Sequence, residues 1–292
     1  MRLQTGSVAA VLLLLLSCSS GSTPFTVVEF AQEGREDVRL NEPLLFRFSL
    51  PVDPLSVNAG CLTIRDEGGE RARGRWAVSG KTVRFIPDPP EDVGLEGGGL
   101  RFGRRYSVVV AGYPTHGTVC STRRHRIDEK SLFRFRAIGR DAATGSGSPF
   151  VDPSPGTGPL LLTVNGRSIP DRGVEIGRRG IFTMEFSEPL HPAGLHGSPI
   201  RLHRVDGDAE WAGDRTVVLL KVSFVSGKDN RKVLFLPEEP LECGGRYNLR
   251  YESLPFTDLA GNRIHDASLS FVSFNCAEEV VREKNDTSGK DE

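Results

Sequence analysis

Apolar and polar residues alternate in short runs along this chain, and proline or glycine closes many of the runs. Leu44, Phe46 and Phe48 alternate with Leu45, Arg47 and Ser49, and Phe182, Met184 and Phe186 alternate with Thr183, Glu185 and Ser187. Tyr106, Val108 and Val110 share one face of a third run, and Tyr247, Leu249 and Tyr251 share one face of a fourth. Alternation at period two marks a strand with one buried face. Pro51 and Pro189 follow the first two runs, and a residue without an N–H ends a ladder. Many short strands with turn signals between them predict a β-sandwich.

The runs recur in order. Leu44 to Pro54 matches Phe182 to Pro192 through a shared Phe-Ser-x-Pro-apolar-x-Pro core. Val83-Arg84-Phe85-Ile86-Pro87 then matches Val233-Leu234-Phe235-Leu236-Pro237, and Gly103 to Val108 matches Gly244 to Leu249 through Gly-x-x-Tyr. Leu132-Phe133-Arg134-Phe135 matches Phe271-Val272-Ser273-Phe274 more weakly. Spacings between motifs differ, as they do where loops change length and strands do not. Two copies of one unit are therefore expected, at 24–138 and 160–276. Between them, 139–159 holds Gly145-Ser146-Gly147-Ser148-Pro149 and Asp152-Pro153-Ser154-Pro155-Gly156 and reads as a linker. The charged end, 277–292, reads as a disordered tail.

The order Phe-Ser-x-Pro-apolar, Val-x-Phe-x-Pro, Gly-x-x-Tyr, then Asp258-Leu259-Ala260-Gly261-Asn262 before a last strand resembles the bacterial Ig-like domain of S-layer proteins of the SbsA type. The resemblance covers both copies. The first departs from it, because Tyr113 to Lys130 stands where the Asp-x-x-Gly-Asn turn belongs. The resemblance implies an envelope or surface module for spacing, display or adhesion, and it brings no catalytic residues. Tyr106 and Tyr247, each opening a late strand, resemble the tyrosine corner of such sandwiches.

Ahead of the copies, Met1-Arg2 is followed by the apolar run Val8 to Leu16 and then Ser17-Cys18. A charged start, a short apolar run and a small residue form a secretory signal. The run is shorter than the roughly 20 apolar residues of a spanning helix. Leu15-Leu16-Ser17-Cys18 resembles the bacterial lipobox, which implies cleavage after Ser17 and acylation of Cys18. An ordinary signal peptide with a chance cysteine is the alternative. Ser19 after the cysteine implies, by the same resemblance, sorting to an outer membrane. The expected fold class is all-β, with two tandem Ig-like β-sandwich domains after a cleaved signal peptide at 1–17.

Composition narrows the partners. A net charge of −1 leaves no concentrated basic face of the kind nucleic acid requires. Of five cysteines, the four beyond Cys18 suggest disulfides in an exported chain. One bridge per copy is expected, Cys61–Cys120 and Cys243–Cys276, with four free thiols as the alternative. Cys243 stands just before the strand that begins at Arg246, and Cys276 just after the strand that ends at Phe274. The second bridge therefore follows if those strands are antiparallel neighbours.

Catalytic signatures are sparse. No His-Glu-x-x-His, Cys-x-x-Cys or Gly-x-Ser-x-Gly occurs, so the common zinc and hydrolase patterns are absent. His191, His196 and His203 are a weak metal candidate set, and His116 with Cys120 is a weak dyad that a disulfide would exclude. Asp258 and Asn262 are too few for calcium and read as a tight turn. Arg123, Arg124 and Arg126, beside His125, could meet an acidic polysaccharide or lipid head groups, or form a solvated loop. Trp76 and Trp211 are either sugar platforms or core. No metal, cofactor or enzymatic activity is expected. The expected role is a cell-envelope lipoprotein, held to the membrane by its lipid and engaging an envelope protein. The alternative is a module that binds carbohydrate or another cell-wall polymer.

Replacing Cys18 by Ser is expected to abolish incorporation of labelled fatty acid and move the protein from the detergent phase to the aqueous phase. Unchanged partitioning overturns the lipid anchor.

Overall fold

The structure is a computed structural model that describes residues 24–115, 117–141, 148–153, 155, 157–168, 174–176, 179–195, 200–205, 217–225, 229–242, 244–250, 256–263 and 271–276. Cys18, the expected signal at 1–17, the expected tail at 277–292, His116, His196, His265, Trp211 and Cys243 lie outside these residues.

Seven strands build the first sandwich: β1 Val27–Phe30, β2 Leu44–Phe48, β3 Leu62–Asp66, β4 Gly74–Ser79, β5 Thr82–Pro87, β6 Arg105–Val110 and β7 Ser131–Arg136. They form one sheet ordered β1-β2-β5-β4 and another ordered β3-β6-β7, antiparallel throughout. The alternation read from the sequence sets the faces. Leu44, Phe46 and Phe48 are buried while Leu45 and Arg47 are exposed. Phe30 stacks on Phe46 at 4.7 Å in one sheet, and Tyr106 stacks on Phe135 at 5.1 Å in the other. Such ring pairs add roughly 0.5–1.5 kcal/mol beyond the area they bury.

The second sandwich repeats the plan with β8 Leu161–Val164, β9 Arg167–Ser168, β10 Val174–Ile176, β11 Phe182–Phe186, β12 Ile200–Val205, β13 Val217–Phe224, β14 Lys232–Pro237, β15 Arg246–Arg250 and β16 Phe271–Cys276. The order β8-β11-β14-β13 answers to β1-β2-β5-β4, and β12-β15-β16 answers to β3-β6-β7. Register repeats too. Leu44 faces Phe85 and Phe46 faces Val83; Phe182 faces Phe235 and Met184 faces Val233. Tyr106 lies opposite Phe135, and Tyr247 opposite Phe274. The protein is all-β: two tandem Ig-like β-sandwiches.

Each repeated motif has a local physical cause. The motif serine ties the first strand of each copy. Ser49 Oγ accepts from Thr26 N at 3.0 Å and donates to Pro24 O at 2.6 Å, and Ser187 Oγ accepts from Leu160 N at 2.9 Å. The glycine of Gly-x-x-Tyr takes a left-handed backbone in both copies, with φ 66° at Gly103 and 73° at Gly244, where a Cβ is strained. The tyrosine hydroxyl then accepts from the amide five residues upstream, Tyr106 from Arg101 N at 2.8 Å and Tyr247 from Glu242 N at 2.9 Å. These are the two tyrosine corners.

The copies differ in how they close. In the second, long β13 pairs with β12 through Val217 to Leu220 and with β14 through Leu220 to Phe224, joining both sheets into one of nine strands. In the first, the crossing breaks at Gly74. A short bridge of Arg65 with Arg71, made by Asp66 N to Glu70 O (2.9 Å) and Ala72 N to Ile64 O (2.9 Å), binds the crossing segment to β3 before the chain leaves as β4.

The two sandwiches meet at the far end of the 139–159 segment. Val151 is held on the Asn41 side chain by two hydrogen bonds, N to Oδ1 at 2.6 Å and Nδ2 to O at 2.9 Å. Leu40 N donates to Pro149 O at 3.0 Å. Phe150, 1% exposed, is buried in the first core together with Leu259 from the second copy. The His191 ring meets Phe150 edge-on at 6.2 Å. Asn230 Nδ2 donates to Pro90 O at 2.6 Å, Asn262 Nδ2 donates to Asp152 Oδ2 at 3.0 Å, and Arg75 pairs with Asp229. The segment read as linker thus carries a core phenylalanine.

Burial pushes the Tyr106 phenol up to about 12 from 10.0. The folded state holds this proton more tightly than the unfolded chain. Its contribution is therefore complete below pH 10 and is lost as pH rises through about 12. Urea midpoints for the native protein are expected to fall over that window, with a smaller fall for Tyr106→Phe. Equal falls in both proteins overturn the assignment.

Candidate functional site

Where the first sandwich stays open, a cleft forms. β3 and β4 are the outermost strands of their sheets, and no strand among the described residues pairs with the outer edge of β4. The crossing segment Glu70-Arg71-Ala72-Arg73-Gly74 runs between them. Gly74 is required at the bend: a Cβ there would meet Ile86 O at 2.4 Å and the Phe85 ring at 2.6 Å. Gly99 lets the following loop lie on the segment, because its Cβ would meet Arg73 O at 2.1 Å. The resulting cleft has a volume of about 340 Å³, and its lining includes Leu62, Ile64, Trp76, Phe85, Arg71 and Arg73, with Asp88. That size lies at the lower end of ligand sites.

Chemically the cleft is apolar at its floor and cationic at its mouth. Leu62, Ile64 and Phe85 are buried, whereas Arg71 and Arg73 are exposed. Trp76 is half-buried, its ring 4.8 Å from Phe85 and 6.0 Å from Phe46. It is an edge of the core rather than an open platform. Glu70, at the start of the crossing segment, forms a paired contact with Arg101, both N–O distances being 2.6 Å, which holds its carboxyl below the usual range. The sequence reading named Trp76 but missed the cleft. Its signal was Arg71-x-Arg73-Gly74-Arg75, alternating guanidinium groups interrupted by a glycine.

The basic residues Arg123, Arg124 and Arg126 lie elsewhere, exposed on a turn. That turn takes the place of Asp258 to Asn262 after all. Ser121 Oγ accepts from His125 N at 3.0 Å, just as Asp258 Oδ1 accepts from Asn262 N at 2.8 Å. Arg124 takes φ 63° where Gly261 takes 97°. Val52 pairs with Ser121, and Leu190 with Asp258. The Asp-x-x-Gly-Asn motif is recast here without its aspartate or glycine, which is why the sequence hid it. In the second copy Asn262 Nδ2 also donates to Asp258 Oδ2 at 2.8 Å. Asp258 and Asn262 therefore shape a turn and its seat on Asp152.

The cysteine expectation needs correction. Cys61 and Cys120 are free thiols. Each sulfur turns into its own loop: Cys61 Sγ donates to Ser56 O and Asn58 O at 3.1 Å, and Cys120 Sγ points to Thr118 O at 3.5 Å. Ser56 Oγ accepts from Cys120 N at 2.9 Å, so the two loops are joined by a serine rather than a bridge. For Cys243 and Cys276, only the backbone condition lies within the described residues. β15 and β16 are antiparallel neighbours, with Arg246 opposite Asn275.

Among the histidines, His191 sits at the junction. Its Nδ1 accepts from Ala193 N at 3.1 Å, and burial holds its pKa below the usual value despite Asp258 nearby. His203 lies on β12. No group of three or more His, Cys, Asp or Glu placed to hold a metal occurs among the described residues.

No protein-family model and no curated protein matches the chain. Solved structures do. Native alpha-2-macroglobulin from Escherichia coli, spanning domains MG0-NIE-MG1, is 14% identical with a TM-score of 0.37, over 87% of this chain and 71% of that one. The N-terminal part of the bacterial S-layer protein SbsC is 17% identical with a TM-score of 0.25, over 67% of this chain and 41% of that one. The titin fragment I67–I69 is 10% identical with a TM-score of 0.22, over 88% and 66%. The two-sandwich assignment rests on the strand order and register given above, not on these scores.

Burial pushes the Cys61 thiol up, and its side chain is fully covered. The thiolate is the reactive form. Iodoacetamide is expected to label Cys120 of the native protein before Cys61, with both recovered as separate peptides. A linked Cys61–Cys120 peptide, or the reverse order, overturns this.

Proposed function

We propose that this chain is an exported, lipid-anchored protein of the cell envelope whose two Ig-like modules act without catalysis, holding a fixed spacing and presenting a surface for protein interaction. The observation that carries the reading is the junction. A phenylalanine buried between two copies of one fold, flanked by ties from Asn230, Asn262, Arg75 and Asn41, supports one relative placement of the modules. A chain built for display gains from such stiffness, because a flexible joint spreads what lies beyond it over many positions. The lipobox-like Leu15-Leu16-Ser17-Cys18 supports attachment at one end.

The alternative, a carbohydrate or cell-wall polymer module, draws less support from Trp76, whose ring packs against Phe46 and Phe85. Its remaining basis is the exposed trio Arg123, Arg124 and Arg126. A glycan array separates the two readings: a hit lost on replacing that trio by serine favours the alternative.

Spin labels placed on the outer strands of the two sandwiches are expected to give one narrow distance distribution. Phe150→Ala is expected to broaden it and to lower stability by about 3 kcal/mol, the scale of a large aromatic lost from a core. A broad distribution in the unaltered chain overturns the spacing role.

A further inference from the structure

In the second sandwich the ladder of β12 on β13 runs from His203–Val217 to Ile200–Leu220, and beyond Leu220 β13 pairs with β14 alone. In the first the corresponding contact is the bridge of Arg65 with Arg71, and β4 beyond it pairs with β5 alone. The shorter ladder leaves a cleft between β3 and β4.

Register tells which backbone groups are left over. Asp88 N donates to Arg73 O at 3.1 Å, which makes the facing residues Gly74 and Pro87 a pair without mutual hydrogen bonds. Antiparallel pairs alternate in kind. Arg75, Ala77 and Ser79 therefore bond to β5, and the N–H and C=O of Trp76 and Val78 face outward. Behind that edge is the cleft of about 340 Å³ floored by Leu62, Ile64 and Phe85. At its end stand Arg71 and Arg73, exposed, two residues apart on an extended segment. Asp88 lines the cleft, and Asp66 and Glu70 line the neighbouring hollow with Arg71 and Arg73, where Glu70 is already paired with Arg101. The other outer strand of the β4 sheet, β1, likewise pairs on one side only among the described residues.

We propose that the outer edge of β4 and the cleft behind it receive an extended, acidic segment of a partner polypeptide as an added strand. The inference deepens the interaction role proposed above and rests on it. Main-chain bonds to Trp76 and Val78 supply the attachment, an apolar side chain enters the cleft, and carboxylates meet Arg71 and Arg73. A polypeptide fits better than a glycan. The unmet groups are donors and acceptors spaced for a strand, while the Trp76 ring is engaged with Phe46 and Phe85.

The probe is a labelled, end-blocked heptapeptide of alternating valine and glutamate, titrated by fluorescence anisotropy into the full chain in detergent. A lysine-for-glutamate peptide serves as the counterpart. The glutamate peptide is expected to bind and the lysine peptide not to. Binding should weaken with salt. Joint Arg71→Glu and Arg73→Glu replacement should weaken binding about tenfold or more. Val78→Pro removes an outward N–H and no ladder bond, so it should cause a similar loss with an unchanged thermal melt. If that variant melts early, N-methylation of alternate amides in the peptide provides the same test, and one of the two methylation patterns should abolish binding. Hydrogen exchange at Trp76 and Val78 should slow when the peptide is bound. Equal binding of the lysine peptide, indifference to Val78→Pro and to N-methylation, or a glycan-array hit lost in Trp76→Ala overturns the proposal. The spin-label distances are independent of this edge. Failure here with a narrow distribution sinks the strand site alone, and a broad distribution sinks the spacing role.

Discussion

Each sandwich depends on one ladder, in which the Phe-Ser-x-Pro strand lies against the Val-x-Phe-x-Pro strand. Phe46 opposite Val83 and Leu44 opposite Phe85 have their counterparts in Met184 opposite Val233 and Phe182 opposite Phe235. Phe182 and Phe235 are stacked at 4.7 Å, nearly parallel. Burying each such side chain contributes roughly 1.5–3 kcal/mol, and a slip of one residue would turn the whole set to solvent. The remaining devices guard that register. Ser49 and Ser187 pin the neighbouring strand, proline ends the ladder, and the tyrosine corners brace the opposite sheet.

Divergence between the copies falls where this ladder is indifferent. The turn at Ser121 to His125 keeps the geometry of the turn at Asp258 to Asn262 with other residues, because a side-chain oxygen at its first position and a left-handed backbone at its fourth are all it needs. The crossing between sheets is continuous in β13 and broken at Gly74. The second copy thereby carries its ladder to β12 as far as Leu220, whereas the first stops at Arg71 and keeps a cleft with arginines at its mouth.

The junction couples them. Phe150 comes from a stretch rich in glycine, serine and proline, yet it is buried with Val38, Leu40 and Leu259. Asn41 grips its neighbour Val151 as a strand would, through both amide atoms. The polar ties around it are short-range and directional, so they set orientation while the buried ring and Leu259 supply apolar contact.

Much of this architecture was legible in the sequence. Period-two alternation set the faces of β2, β6 and β11, and recurrence of the motifs in order gave two copies of one topology, because strands tolerate little change in length. Gly103, Gly244, Tyr106 and Tyr247 announced their turns and corners, since a left-handed backbone and a buried hydroxyl each admit few residue types. Other features needed the tertiary structure. Ser121 to His125 carries no turn motif, and its role shows only through its pairing with Val52. The Cys61 and Cys120 sulfurs face separate loops, a choice of side-chain direction that counting cysteines does not make. Phe150 looked like a lone apolar residue in a linker, because its core companions Val38, Leu40 and Leu259 lie more than a hundred positions away in both directions along the chain. The cleft exists only because two outermost strands fail to meet. Local patterning determined which residues form strands and which face each strand buries; long-range packing alone decided where the two sheets close, where they stay open, and how the two copies are joined.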